Sequence, residues 1–186
     1  MLLTLTTNDP YHANYCTEEG QVIYKVESPF KLVGRKATID KIVPNDTPEG
    51  AQGEPDMQDR FTRIGLVEFN TVTSSKITWE NVIHDTSKFF RKESMGWLGR
   101  DRIFTGPDGK EYRWLLRNSK PELVLNDDER TLVAKYHQKH HGVVQDPRPA
   151  SLEILPPGEH MVDLIIVTLV YIELLRRNRE RAAKSP

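Results

Sequence analysis

The sequence predicts a mainly β fold: a closed antiparallel barrel of about twelve strands enclosing a hydrophobic C-terminal helix. Three observations carry that expectation. Short stretches of alternating apolar and polar residues fill the chain to about residue 155, turn residues separate them, and one long apolar segment of a different kind follows.

The clearest alternations set Leu3 and Leu5 against Thr4 and Thr6, and Val22, Tyr24 and Val26 against Ile23 and Lys25. Ile77 and Trp79 then stand against Lys76, Thr78 and Glu80, and Tyr112, Trp114 and Leu116 against Glu111, Arg113 and Arg117. Leu132, Ala134 and Tyr136, then Leu152 and Ile154, repeat the pattern. Weaker strands are expected near 36–43, 62–70, 82–92, 100–105 and 122–126, the spacing that a barrel or sandwich produces. Between them, Thr105-Gly106-Pro107-Asp108-Gly109-Lys110 places Pro where φ is fixed near −65° and Gly where φ must be positive, so a tight hairpin is expected there. Residues 126–130 read as a second turn, and Asp146-Pro147-Arg148-Pro149 as a bend that no central strand could hold. Residues 44–59 carry three prolines, two glycines and five acidic residues with no basic one, which predicts a flexible acidic loop inside a single domain spanning 1–186.

From Met161 to Leu175 only Asp163, Thr168 and Glu173 are polar, and at helical spacing they leave no continuous polar face. A helix over 160–181 must therefore be surrounded. Acidic residues at its start and Arg176, Arg177, Arg179 and Arg181 at its end complement the helix dipole. Fifteen residues span only about 22 Å against a hydrocarbon core of about 30 Å, and the stretch carries two carboxylates, so a membrane is the poorer surrounding. A barrel of twelve strands tilted by about 40° closes at a radius of about 12 Å, too wide for strand side chains alone and wide enough for a helix of about 10–12 Å.

Composition excludes several classes. The 26 basic and 27 acidic side chains leave a net charge of −1, which favours neither disorder by charge excess nor a generally basic nucleic-acid binder. Cys16 is the only cysteine, so no intramolecular disulfide and no cysteine-based metal cluster can form. The first residues lack a basic segment followed by a long apolar one, so no signal peptide is expected and the cytoplasm or nucleus is the expected location, with peripheral membrane association a further option.

The run from Arg102 through Thr105-Gly106-Pro107-Asp108-Gly109 to Tyr112-Arg113-Trp114, with Leu132 to Tyr136, Leu152 to Pro156 and the helix from Asp163 to Arg179, resembles a fungal domain family of unknown function. That family is similar to the tubby C-terminal-like superfamily, alongside the LURP-one-related proteins and phospholipid scramblases. The resemblance covers most of the chain and implies the same helix-filled barrel. The superfamily's better-known members bind phosphoinositides or are linked to lipid movement. Their phosphoinositide motif has no position-by-position match here, so no residue is carried over from it.

Between residues 88 and 120 nine basic residues stand against four acidic ones, although the whole chain is nearly neutral. Lys88, Arg91, Lys92, Trp97, Arg100, Arg102, Lys110 and Arg113 are the candidate ligands of an anionic lipid headgroup, with Phe89 and Phe90 among them. The competing reading turns the aromatics into the core and leaves the cations as a solvated face. Stacking on single-stranded nucleic acid would use the same residues and is the weaker choice in a neutral chain. His137, His140 and His141 form a second cluster, but at the end of a strand alternate residues diverge, so metal geometry does not follow. Asp163 and Glu173 need partners in a dry interior, the first from backbone N–H groups at one mouth and the second from a cation at the other. No phosphate-cradling loop, nucleophile elbow or zinc-protease motif is present in the sequence. The expectation is thus a non-enzymatic binding module without a cofactor. Its expected partner is an anionic membrane lipid or, alternatively, an unidentified protein held by an adaptor that has no lipid site.

Overall fold

The computed structural model describes residues 1–29, 34–43, 60–70, 73–94, 100–116, 120–140 and 148–184. The acidic stretch 44–59, Trp97, Arg117, His141 and the first half of the 146–149 bend lie outside the described residues. In chain order the elements are β1 (Leu2–Leu5), β2 (Ala13–Cys16), β3 (Val22–Glu27), β4 (Arg35–Val43), β5 (Arg60–Phe69), β6 (Lys76–Trp79) and β7 (Val82–Asp85). A single helical turn, α1 (Thr86–Phe89), leads to β8 (Arg91–Ser94), β9 (Arg100–Thr105), β10 (Glu111–Leu115), β11 (Glu122–Leu125), β12 (Leu132–His137) and β13 (Ser151–Ile154). A 3-10 helix, Pro156–Met161, precedes α2 (Val162–Lys184).

The strands form one antiparallel sheet of thirteen, ordered β7-β6-β5-β4-β3-β2-β1-β13-β12-β11-β10-β9-β8. The expected hairpins are there. Gly106 N–H donates to the Lys110 carbonyl at 2.8 Å, with Gly109 at φ +78°, and Leu125 N–H donates across the 126–130 turn to Thr131. Between β6 and β7 the two-residue turn Glu80-Asn81 has φ of +49° and +61°, the mirror-image turn that matches strand twist. Strand β2 was not signalled by the sequence, because Ala13-Asn14-Tyr15-Cys16 offers one large apolar residue in four.

The sheet is not closed by hydrogen bonds, a departure from the expected closed barrel. Parity gives the reason. Six antiparallel pairings lead from β1 to β7 and six more lead from β1 through β13 to β8, so β7 and β8 run in the same direction. Two parallel strands joined by residues 86–90 alone cannot lie side by side, since a parallel crossover needs about a dozen residues or more. The 82–92 segment, expected as one strand, is instead one chain path broken by α1, its first half paired to β6 and its second to β9. That break, together with the unsignalled β2, turns the eleven stretches marked by the sequence into thirteen strands.

Every residue from 164 to 174 is buried. The helix lies among side chains from both halves of the sheet: Phe69 of β5 and Phe90 pack on Tyr171 with ring centroids 6.2 and 5.2 Å away. Gly65 of β5 lets α2 approach, for a Cβ there would stand 2.6 Å from Val167 Cγ2. On the opposite side the Trp114 indole N–H donates to Thr168 Oγ1 at 3.1 Å, and that hydroxyl donates to the Leu164 carbonyl at 2.8 Å, so the polar atoms facing each other in the core are partnered. Nine apolar side chains of α2, from Leu164 to Leu174, are buried, each large one worth about 1.5–3 kcal/mol. No helix among the described residues is long and apolar enough to cross a membrane.

Candidate functional site

The basic stretch from Lys88 to Arg113 is divided by the pleat. On β9, Arg102 shares the inward face with Phe104 and is 4% exposed, opposite Trp114 of β10. Arg113, 7% exposed, lies outside but is walled in: its Nε donates to Asn126 Oδ1 at 2.9 Å, another nitrogen bonds Glu93, and Nη1 stands 3.7 Å from Asp101. Arg91 bonds both Glu93 and Glu111, the latter at 2.6 and 2.8 Å, while Asn126 donates to Glu111 at 2.7 Å. Arg91, Glu93, Arg113, Asn126 and Glu111 thus close a ring of hydrogen bonds. In register Ile103 sits between Arg91 and Arg113, and it is only 1% exposed, so the stems of the ring roof it. The Arg91 hydrogen bond, then that of Asn126, holds the Glu111 carboxyl below the usual carboxylate range.

Charge in this stretch is therefore partly spent on the fold. Among the described side chains the exposed cations are Lys88 on α1, Arg91 and Lys92 on β8, and Lys110 in the β9–β10 turn, the last 3.6 Å from Asp108. Arg100 opens β9 opposite Ser94. Phe90 belongs to the core, and Phe89 is half-buried between His84 at 5.3 Å and Phe104 at 5.8 Å. These rings seal the break between β7 and β8 where no ladder does.

That seam has an outer side which the sequence did not reveal. Val82 and Ile83 are 53% and 65% exposed, adjacent apolar residues at the free edge of the sheet. Ile83, His84, Asp85, Lys88, Phe89 and Thr105 line a cavity of about 410 Å³ there. Val82 follows the two-residue turn and pairs with Trp79, and Thr86 N–H bonds the Ser75 carbonyl. By alternation, the backbone groups of Ile83 and Asp85 face the open side. The available signal was the pair itself: two consecutive apolar residues in a strand cannot both face the core.

A family model, that of a family of unknown function, DUF6593, matches residues 8–178, nearly the whole of this fold. The chain belongs to that family. No curated protein and no solved structure matches it.

The remaining sequence candidates fall elsewhere. Asp163 sits at the start of α2, where Lys41 Nζ reaches its two oxygens at 2.9 and 3.0 Å and Tyr24 donates to it at 2.5 Å; side chains, not backbone N–H groups, hold it. Burial, then the hydrogen bond to Asp163, pushes the Tyr24 hydroxyl far above its ordinary pKa. At the other end Glu173, fully buried, is held by Arg176 through bonds of 2.8 and 3.0 Å, as expected of a cation at the second mouth. The two carboxylates orient the helix. Burial pushes the Cys16 thiol up, the direction opposite to an activated nucleophile. His137 Nε2 lies 3.0 Å from Glu153 Oε2, and no three metal-ligating side chains converge among the described residues.

Proposed function

We propose that the protein is a non-enzymatic module that docks at an anionic membrane surface through the seam between β7 and β8. The observation that carries this reading is the exposure of Val82 and Ile83 next to a notch that also holds Lys88. Apolar side chains entering the headgroup region and cations above it are the two components of peripheral binding, each nearby cation adding about 1 kcal/mol. Lys88 and Lys92 supply the charge, Arg91 contributes from within its ion ring, and Arg102 and Arg113 serve the fold. The exposed pair replaces Phe89 and Phe90 as the apolar element. The resemblance to the tubby C-terminal-like superfamily agrees with this reading, with the sheet taken as a twelve-strand barrel around α2 that has one interrupted strand. The site of action would be a cytoplasmic or nuclear membrane face.

Co-sedimentation with phosphatidylcholine vesicles, with and without phosphoinositide, tests it. Pelleting should require the anionic lipid and should fall at least tenfold in Ile83→Asp and in Lys88→Glu/Lys92→Glu, both of which alter exposed residues. Pelleting indifferent to both variants, or absent altogether, would remove the lipid reading. The free edge of β7 favours one second reading, an adaptor that adds a partner's extended segment to the sheet. Asp85→Pro, which removes one of the two outward N–H groups and keeps Val82 and Ile83, would then abolish capture of the partner.

A further inference from the structure

A second cavity, of about 450 Å³, opens at the end of the sheet where α2 begins. Tyr24 and Lys41 come to it from β3 and β4, Trp79 and Glu80 from the β6–β7 turn, and the 3-10 helix and first residues of α2 complete it. Its floor is apolar. Tyr24, Met161 and Leu164 are buried, and Trp79, which shares the inward parity of Ile77, packs on the edge of the core and stays half-buried. The charged groups around this floor are matched, with one exception. Lys41 meets Asp163 at 2.9 and 3.0 Å, the Met1 amine lies 3.4 Å from Glu159, and His160 lies 3.7 Å from Asp108 and 3.5 Å from the Tyr112 hydroxyl. Glu80, held beside Trp79 in the turn at φ +49°, engages no cation among the described residues. By strand direction the link from β4 to β5 is the one undescribed connection at this end of the sheet, and its residues 44–59 hold five acidic side chains and no basic one that could answer Glu80.

We propose that this cavity binds a small organic ammonium, with its charge between Trp79 and Glu80 and its apolar body on Met161 and Leu164. An aromatic face attracts a cation through its quadrupole, tryptophan most strongly, and the attraction grows where water is partly excluded. The carboxylate beside that ring supplies the counter-charge. The positive end of α2, which would oppose a cation, is met by Asp163 in its first turn. The volume far exceeds that of an ammonium group and falls in the range of small-molecule sites, so the cation carries an organic body. In the sequence Trp79-Glu80 is only the end of a strand. The pairing of β3 with β4 and the seating of α2 bring Tyr24, Met161 and Leu164 to the same place. This cavity shares no lining residue with the notch at the seam, so either reading can fail without the other.

Titration of the full chain with phenethylammonium chloride, followed by NMR of the indole N–H and methionine methyl groups, tests the proposal. Phenethyl alcohol is the neutral analogue, and sodium chloride at equal ionic strength is the salt control. Saturable shifts are expected at Trp79 and Met161, with a Kd on the order of 1 mM or tighter and the alcohol about fivefold weaker or more. Glu80 is exposed, so its variants keep the fold. Glu80→Gln should weaken ammonium binding about threefold and Glu80→Lys about tenfold or more, with the alcohol unchanged in both, while Lys92→Glu leaves ammonium binding within about twofold. Trp79→Leu should abolish saturation by the ammonium. Shifts that never saturate, that sodium chloride reproduces, that the alcohol matches at equal concentration, or that Glu80→Lys leaves intact would overturn the assignment.

Discussion

The middle of the sheet, where β1 meets β13, and its two ends, β7 and β8, are made differently. At the chain's termini β1 and β13 meet in a regular ladder, Leu3 opposite Leu152, flanked by backbone bonds from Leu5 N–H to the Ala150 carbonyl and from Ile154 N–H to the Met1 carbonyl, both 2.8 Å. In the middle of the chain β7 and β8 share no ladder, and the rings of His84, Phe89, Phe90 and Phe104 fill the gap. The comparison shows that segments adjacent in sequence can be the ones left unpaired, while segments about 150 residues apart join. Backbone pairing leaves no ladder groups unpaired. A joint closed by side chains leaves free edge groups, exposed Val82 and Ile83, and a cavity, which is why the functional proposal falls there.

The largest expected effect tests what both joints share. Deleting the chain from Met161 removes the filling of the sheet, and the product should show no cooperative thermal unfolding and no near-ultraviolet dichroism. A folded product would make the helix a detachable element. Next, Phe90→Ala should cost about 3–5 kcal/mol, because a fully buried ring stacked on Tyr171 leaves a cavity, and Leu152→Ala at the other joint about 2–5 kcal/mol, both read by denaturant titration. A cost below about 1 kcal/mol for Phe90→Ala would mean that the rings do not seal the seam. Smaller in energy is the expected difference in amide exchange: Ile83 and Asp85 should exchange fast, and Leu3 and Leu152 slowly. Equal protection would show that the two joints are alike.

The smallest effect concerns the ion ring beside β8. Arg91, then Asn126, lowers the Glu111 carboxyl from its ordinary value of 4.5, so the folded protein binds that proton less readily than the unfolded chain. The ring's contribution is complete above about pH 4.5 and is lost as acid carries the pH through the lower folded value. Glu111→Gln should therefore lower the melting temperature slightly at neutral pH and flatten the acid limb of the stability curve below about pH 4.5. An unchanged acid limb would separate the ring from stability.

Much of this was legible along the chain. Tyr112 and Trp114 on one face, the Gly109 turn and the helix without a polar face each announced a local structure, since the periods of 2 and 3.6 are written in neighbouring residues. The candidate site was legible only in part. Lys88 and Lys92 reach the surface as expected, but Arg102 shares the inward parity of Phe104, and Arg113 faces outward only to meet Glu93. Whether a charge is free or spent depends on which strand lies beside it.

By itself the sequence determined the type of nearly every element and the burial of the last helix, because both follow from side-chain period and from the free energy of leaving water. The tertiary structure alone decided the pairing of β1 with β13, the break at α1 and the partner of each arginine. Those are contacts between residues remote in the chain, fixed by strand direction and register, and no local pattern encodes them.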